Sequence, residues 1–128
     1  VRLLLDTHVL IWWLLDEPRL SRTARELLAS EESEMFVSSA SAMEIATKHR
    51  LGKLPGVAAL VEQFDVILAS EDIVALPINV SHAIVAGSMR EAHADPFDRF
   101  LAAQAAIEQL SLVTGDAALR RLVPAAVW

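Results

Sequence analysis

The sequence predicts an α/β fold: a central parallel sheet of four to five strands covered by helices on both faces. Two patterns carry this reading. Short apolar runs of strand length alternate with amphipathic helical segments along the whole chain. Acidic residues recur just after those runs, at the sheet edge where open α/β folds bind ligands. A length of 128 residues suits a single domain, 1–128, with one core.

Residues 2–5 form an apolar run that reads as a buried parallel strand. Asp6-Thr7 then opens an apolar helix over 9–15, which Asp16-Glu17-Pro18 stops. Ser21 caps a second helix through Ser30, with Leu20, Ala24, Leu27 and Leu28 on one face. Residues 35–38 make the second strand and lead into a helix over about 41–51, which Gly52 ends. Past the Pro55-Gly56 break, Val57, Leu60, Val61, Phe64 and Leu68 mark one further amphipathic helix. Residues 73–76 are the third strand, closed by Pro77, and Ser81 begins a helix running to about Glu91.

The stretch from His93 to Ala105 is where a loop turns into a buried helix. Pro96 has no amide proton and a fixed φ, so it suits the first helical turn and disfavours helix before it. Asp95 thereby becomes the N-cap, and Asp98 lies in the first turn beside it. Residues 112–114 form the fourth strand, Gly115-Asp116 turns into a short helix through Leu122, and 125–128 make a small last strand.

Composition excludes several classes. The chain is 54% hydrophobic, yet no apolar run approaches the about 20 residues of a membrane span. It has no cysteine, which removes disulfides and thiolate metal sites and suits a reducing cytoplasm. Net charge is −6, which argues against a broad phosphate-binding surface. No glycine-rich phosphate loop, nucleophile elbow or paired histidine motif is present, and His8, His49, His82 and His93 are scattered.

Asp6, Glu44, Asp98 and Asp116 each follow or precede a strand so that right-handed crossovers bring them to one sheet edge. Taken singly, each has a capping explanation; Ser41-x-x-Glu44, for example, matches a capping box. Gathered together, four carboxylates repel one another unless a cation joins them. An oxygen-only donor set selects Mg²⁺ or Mn²⁺ over Zn²⁺. Asp95 is a further candidate ligand beside its capping role. Bases that can rim such a site are Arg19, Arg22, Arg25, Lys48, Arg50 and Lys53. The apolar run from Val9 to Leu15 is wide enough to leave Trp12 or Trp13 for a partner surface.

Asp6-Thr7-His8, Ser38-Ser39 with Glu44, Asp95-Pro96-Phe97-Asp98-Arg99 and Thr114-Gly115-Asp116 together resemble PIN-domain ribonucleases, nearest the VapC toxins of toxin–antitoxin systems. The resemblance implies a PIN-like three-layer α/β/α sandwich and Mg²⁺- or Mn²⁺-dependent endonuclease action on RNA. It also implies a homodimer and inhibition by a VapB-like antitoxin. In that reading Asp6, Glu44 and Asp98 are the core acids, Asp116 the more variable fourth, and Thr7, Ser38 and Thr114 supporting hydroxyls. Arg99 is placed to approach phosphate or to make a surface ion pair. The competing readings are a catalytically silent PIN-like protein-binding module and an Mg²⁺-dependent aspartyl-phosphate enzyme.

Overall fold

The computed structural model describes residues 1–90 and 95–128. Glu91, His93 and Ala94, which entered the sequence reading, lie outside the described residues. The chain runs β1 (Arg2–Leu5), α1 (Thr7–Leu14), α2 (Arg22–Ala29), β2 (Glu34–Ser38) and α3 (Ser39–Arg50). It continues through α4 (Ala58–Glu62), α5 (Phe64–Ser70), β3 (Ile73–Leu76), α6 (Val80–Ser88), α7 (Pro96–Ile107), β4 (Ser111–Val113) and α8 (Ala117–Leu122).

All pairings in the sheet are parallel, in the order β3-β2-β1-β4. Leu4 of β1 lies between Phe36 of β2 and Leu112 of β4. Alternation along β1 splits its leucines between the two faces. Leu3 and Leu5 join Val9, Leu10, Val37 and Ile45 in one core, whereas Leu4 joins Phe36, Leu101, Leu112 and Leu119 in the other. Helices therefore cover both faces, as the uninterrupted apolar strands require. The expected last strand shrinks to one parallel bridge, Val113 to Val127, on the open edge of β4.

The sequence reading is corrected at three helix starts or breaks. Helix α3 begins at Ser39, directly off β2, because Ser38 serves as its N-cap and accepts a hydrogen bond from the Ala40 amide at 2.9 Å. Ser41 is thus inside the helix and buried, where its hydroxyl accepts from Thr7 Oγ1 at 2.9 Å. The Ser41–Glu44 capping box does not form, and Glu44 sits in the second turn instead of the first. The single helix expected over 57–68 is two, α4 and α5, bent at Gln63 (φ −130°, ψ 40°). The bend carries Leu60 and Leu68 into the same core. Helix α6 starts one residue before Ser81, since Asn79 and His82 form a reciprocal capping box.

From β1 the chain adds β2 and β3 on one side, then crosses to place β4 on the other. The strand order reverses between β1 and β4, and crevices of this kind open at the carboxyl ends of such strands. No helix among the described residues is long and apolar enough to cross a membrane.

Candidate functional site

Asp6 directly follows β1 at this reversal point, as the N-cap of α1, and is buried. Its Oδ1 accepts the Thr7 amide at 2.7 Å, which caps α1. Its Oδ2 accepts the Thr114 hydroxyl at 2.6 Å and faces His8 Nδ1 at 3.2 Å. Burial pushes the carboxyl up, but the His8 contact, the Thr114 hydroxyl and the Thr7 amide outweigh it and hold Asp6 below its ordinary value. The Gly115 amide donates to His8 Nε2 at 3.2 Å, which leaves Nδ1 as the nitrogen turned to Asp6.

Around Asp6 lies a cleft of about 240 Å³, walled by Glu44, Asp95, Asp98 and Asp116, with Lys48, His8 and Trp12. Every acid singled out in the sequence faces this one space. Asp95 accepts the Phe97 amide at 2.9 Å as the N-cap of α7, with Pro96 following it as anticipated. Asp98 stands in the first turn of α7. Asp116 accepts the Leu119 amide at 2.9 Å and caps α8. Capping therefore occupies one oxygen of Asp95 and one of Asp116, and leaves each a second for the cleft.

Glu44 has no capping duty. It holds Lys48 Nζ at 2.8 Å across one helical turn. The bond to Glu44, partly opposed by burial and helped by the charges of Asp95 and Asp6, raises the Lys48 ammonium above its ordinary value. The ammonium thus pairs with Glu44 directly and with Asp95 and Asp6 at longer range. Among the described residues no three acids or histidines close into a ready-made metal cage. The cleft is nevertheless lined by five carboxylates, the oxygen donors that fit a hard divalent cation.

The sequence reading missed the roles of Lys48 and His8. It grouped Lys48 with rim bases and treated His8 as structural by default, although Glu44–Lys48 spacing and the Asp6-x-His8 pattern were both legible. Of the hydroxyls expected to support acids, Thr114 reaches Asp6, whereas Thr7 bonds Ser41 and Ser38 caps α3. Arg99 braces the end of α6, donating to the Ala86 carbonyl at 2.9 Å and to that of Met89 at 2.6 Å. Arg22 and Arg25 pair with Glu26 and Asp16, while Arg19 and Lys48 remain beside the clefts.

The PIN domain family profile matches residues 3–123, nearly the whole chain, including every acid of the cleft. The chain belongs to the PIN domain family. Its sandwich is the PIN fold, as solved structures also show. One chain of VapBC2 from Rickettsia felis, bound to a promoter DNA fragment, matches with a TM-score of 0.69 and 18% identity, covering 99% of this chain and 96% of that one. A toxin–antitoxin complex from Klebsiella pneumoniae matches at 0.68 and 19%, covering 98% and 95%. FitAcB from Neisseria gonorrhoeae matches at 0.64 and 22%, covering 98% and 96%. At these identities the likeness is one of fold. No match is found among curated proteins.

Proposed function

We propose that this PIN domain, a single domain over 1–128, is an endoribonuclease toxin of the VapC kind, dependent on Mg²⁺ or Mn²⁺ and neutralised by a VapB-like antitoxin. One observation carries the proposal: Asp6, Glu44, Asp98 and Asp116, spread over 111 positions of sequence, wall one cleft at the carboxyl edge of the sheet. PIN domains are in general nucleases, and the similar solved structures include toxin–antitoxin complexes.

The four acids, with Asp95 at the margin, would hold the cation. Bound there, Mg²⁺ or Mn²⁺ would supply Lewis acidity toward a phosphodiester and toward water. The chain supplies the rest. Thr114 and the Thr7 amide fix the Asp6 carboxylate in one orientation and keep it ionised. Glu44, on the rigid α3, and Asp98, on α7, approach from other elements, so three parts of the fold must be in register. Lys48, beside Glu44 in the cleft lining, would supply an ammonium to a phosphate oxygen there.

A homodimer is part of the same reading. Val80 and Ile84 of α6 are 78% and 64% exposed, apolar surface of the kind that a second copy covers. Trp12 and Trp13 both stay half-buried within one protomer, which leaves area for a partner.

The test is cleavage of a labelled single-stranded RNA with and without Mn²⁺, using wild type, Asp6→Asn and the purified antitoxin. Cation-dependent cleavage that both the substitution and the antitoxin abolish supports the proposal. A folded wild type that leaves RNA intact while still binding antitoxin favours the silent protein-binding module.

A further inference from the structure

Beside the carboxylate cleft, and sharing His8, Trp12 and Asp116 with it, lies a second and more open cleft of about 510 Å³. Arg19, Gly115 and Trp128 complete its lining. We infer that this cleft is a nucleobase subsite, in which a base of the RNA strand stacks next to the phosphate held by the acids. The inference rests on the ribonuclease reading and adds to it where the strand lies.

Three rings meet here without saturating one another's faces. His8 lies 4.8 Å from Trp12 between ring centroids at 60°, and 6.0 Å from Trp128 at 70°; Trp12 and Trp128 are 6.0 Å apart at 53°. Tilted contacts of this kind leave indole surface turned to the cleft, and both tryptophans are only half-buried. The Arg19 guanidinium lies over the Trp12 ring, 4.9 Å from its centroid, and adds a fourth flat group to the lining. His8 is held by Asp6 on one nitrogen and the Gly115 amide on the other, so its ring is fixed in place at the cleft.

The occupant follows from the lining. A phosphate would meet the Asp116 carboxylate and share Arg19 with Glu17, 3.3 Å away. A base needs flat apolar faces and tolerates both, because aromatic and guanidinium planes are what unpaired bases stack on. Continuity with the acidic cleft puts such a base one step along the strand from the reacting phosphate. Gly115 makes room for this arrangement: a Cβ there would fall 2.7 Å from Cε2 of Trp128.

The experiment compares octaadenylate with a base-free ribose-phosphate octamer, titrated into the protein with Ca²⁺ present and followed by tryptophan fluorescence. Wild type should be quenched by octaadenylate and bind it roughly 5- to 150-fold tighter than the base-free chain. Trp128→Ala should erase most of that difference. Because Trp128 also packs against the core, Trp128→Phe is the paired variant and should restore part of it. Arg19→Gln, at an exposed position, should weaken octaadenylate binding without disturbing the fold. In Mn²⁺-dependent cleavage, Trp128→Phe should raise KM more than it lowers kcat. Equal binding of the two octamers by wild type, or full discrimination in folded Trp128→Phe and Arg19→Gln, overturns the subsite. If wild type cleaves RNA yet binds both octamers alike, the subsite alone is wrong. If octaadenylate quenches and binds selectively but no RNA is cleaved, the subsite stands and the ribonuclease reading falls.

Discussion

The Thr114 hydroxyl donates to Oδ2 of Asp6 at 2.6 Å, joining the ends of β4 and β1 across 108 positions of sequence. Thr114 Oγ1 in turn accepts the Asp116 amide at 3.0 Å, so one hydroxyl orients two acids of the cleft. Replacing it with a methyl group strips a buried carboxylate of a donor. Thr114→Val should destabilise the fold by about 1–3 kcal/mol at pH 7 in a denaturant melt.

The same pair sets a pH dependence. Asp6 is held below its ordinary value in the folded protein. Its ionised form therefore adds stability that is fully present above the unfolded pKa, about 3.9, and is lost as pH falls through the lower folded value. Thr114→Val removes part of that lowering. The stability gap between wild type and variant should be widest near neutrality and narrow below about pH 4. A gap that widens in acid would show that Asp6 is not ionised in the fold.

Asp95 and Asp98 can be separated by amide substitution. Asn caps nearly as well as Asp, so Asp95→Asn should keep its bond to the Phe97 amide and the stability of α7. Asp98→Asn should cost at most about 1 kcal/mol through the helix dipole. Cleavage is expected to fall by orders of magnitude in Asp98→Asn and much less in Asp95→Asn, because a neutral amide is a poor ligand for a hard dication. The reverse order would mean that Asp95 is the principal ligand.

Lys48 should compete with the metal. Its ammonium lies 2.8 Å from the Glu44 carboxylate. Lys48→Met should lower the melting temperature in chelator, where the acids lose their counter-charge, and enlarge the rise produced by Mn²⁺. Equal Mn²⁺ shifts in wild type and variant would place the ion away from Glu44.

Gly115→Ala brings a Cβ to 2.7 Å from the Trp128 ring, closer than packed carbons allow. The ring must shift, at a cost of about 1–3 kcal/mol. The tryptophan emission maximum should move red as Trp128 gains water. An unmoved spectrum with wild-type stability would show that the ring has a second comfortable seat.

How far the chain's local chemistry carries can be read residue by residue. Asp95-Pro96 announces the start of α7, because capping and a fixed φ act within one turn. The apolar runs mark the four strands, because β1, β2 and β4 are buried on both faces and need continuous hydrophobic residues, while the edge strand β3 leaves Val74 exposed. Even the convergence of Asp6, Glu44, Asp98 and Asp116 on one edge follows from crossover handedness. Other features depend on neighbours remote in sequence. Ser41 could have capped a helix, but Thr7 claims it inside one, 34 positions away. Glu44 loses its capping explanation for the same reason and takes Lys48 instead. Trp128 becomes part of a wall only because Gly115, lacking a side chain, admits its ring. Caps and periodicity are short-range and survive in the bare sequence; which buried oxygen receives which donor is settled only when packing brings distant segments within about 3 Å.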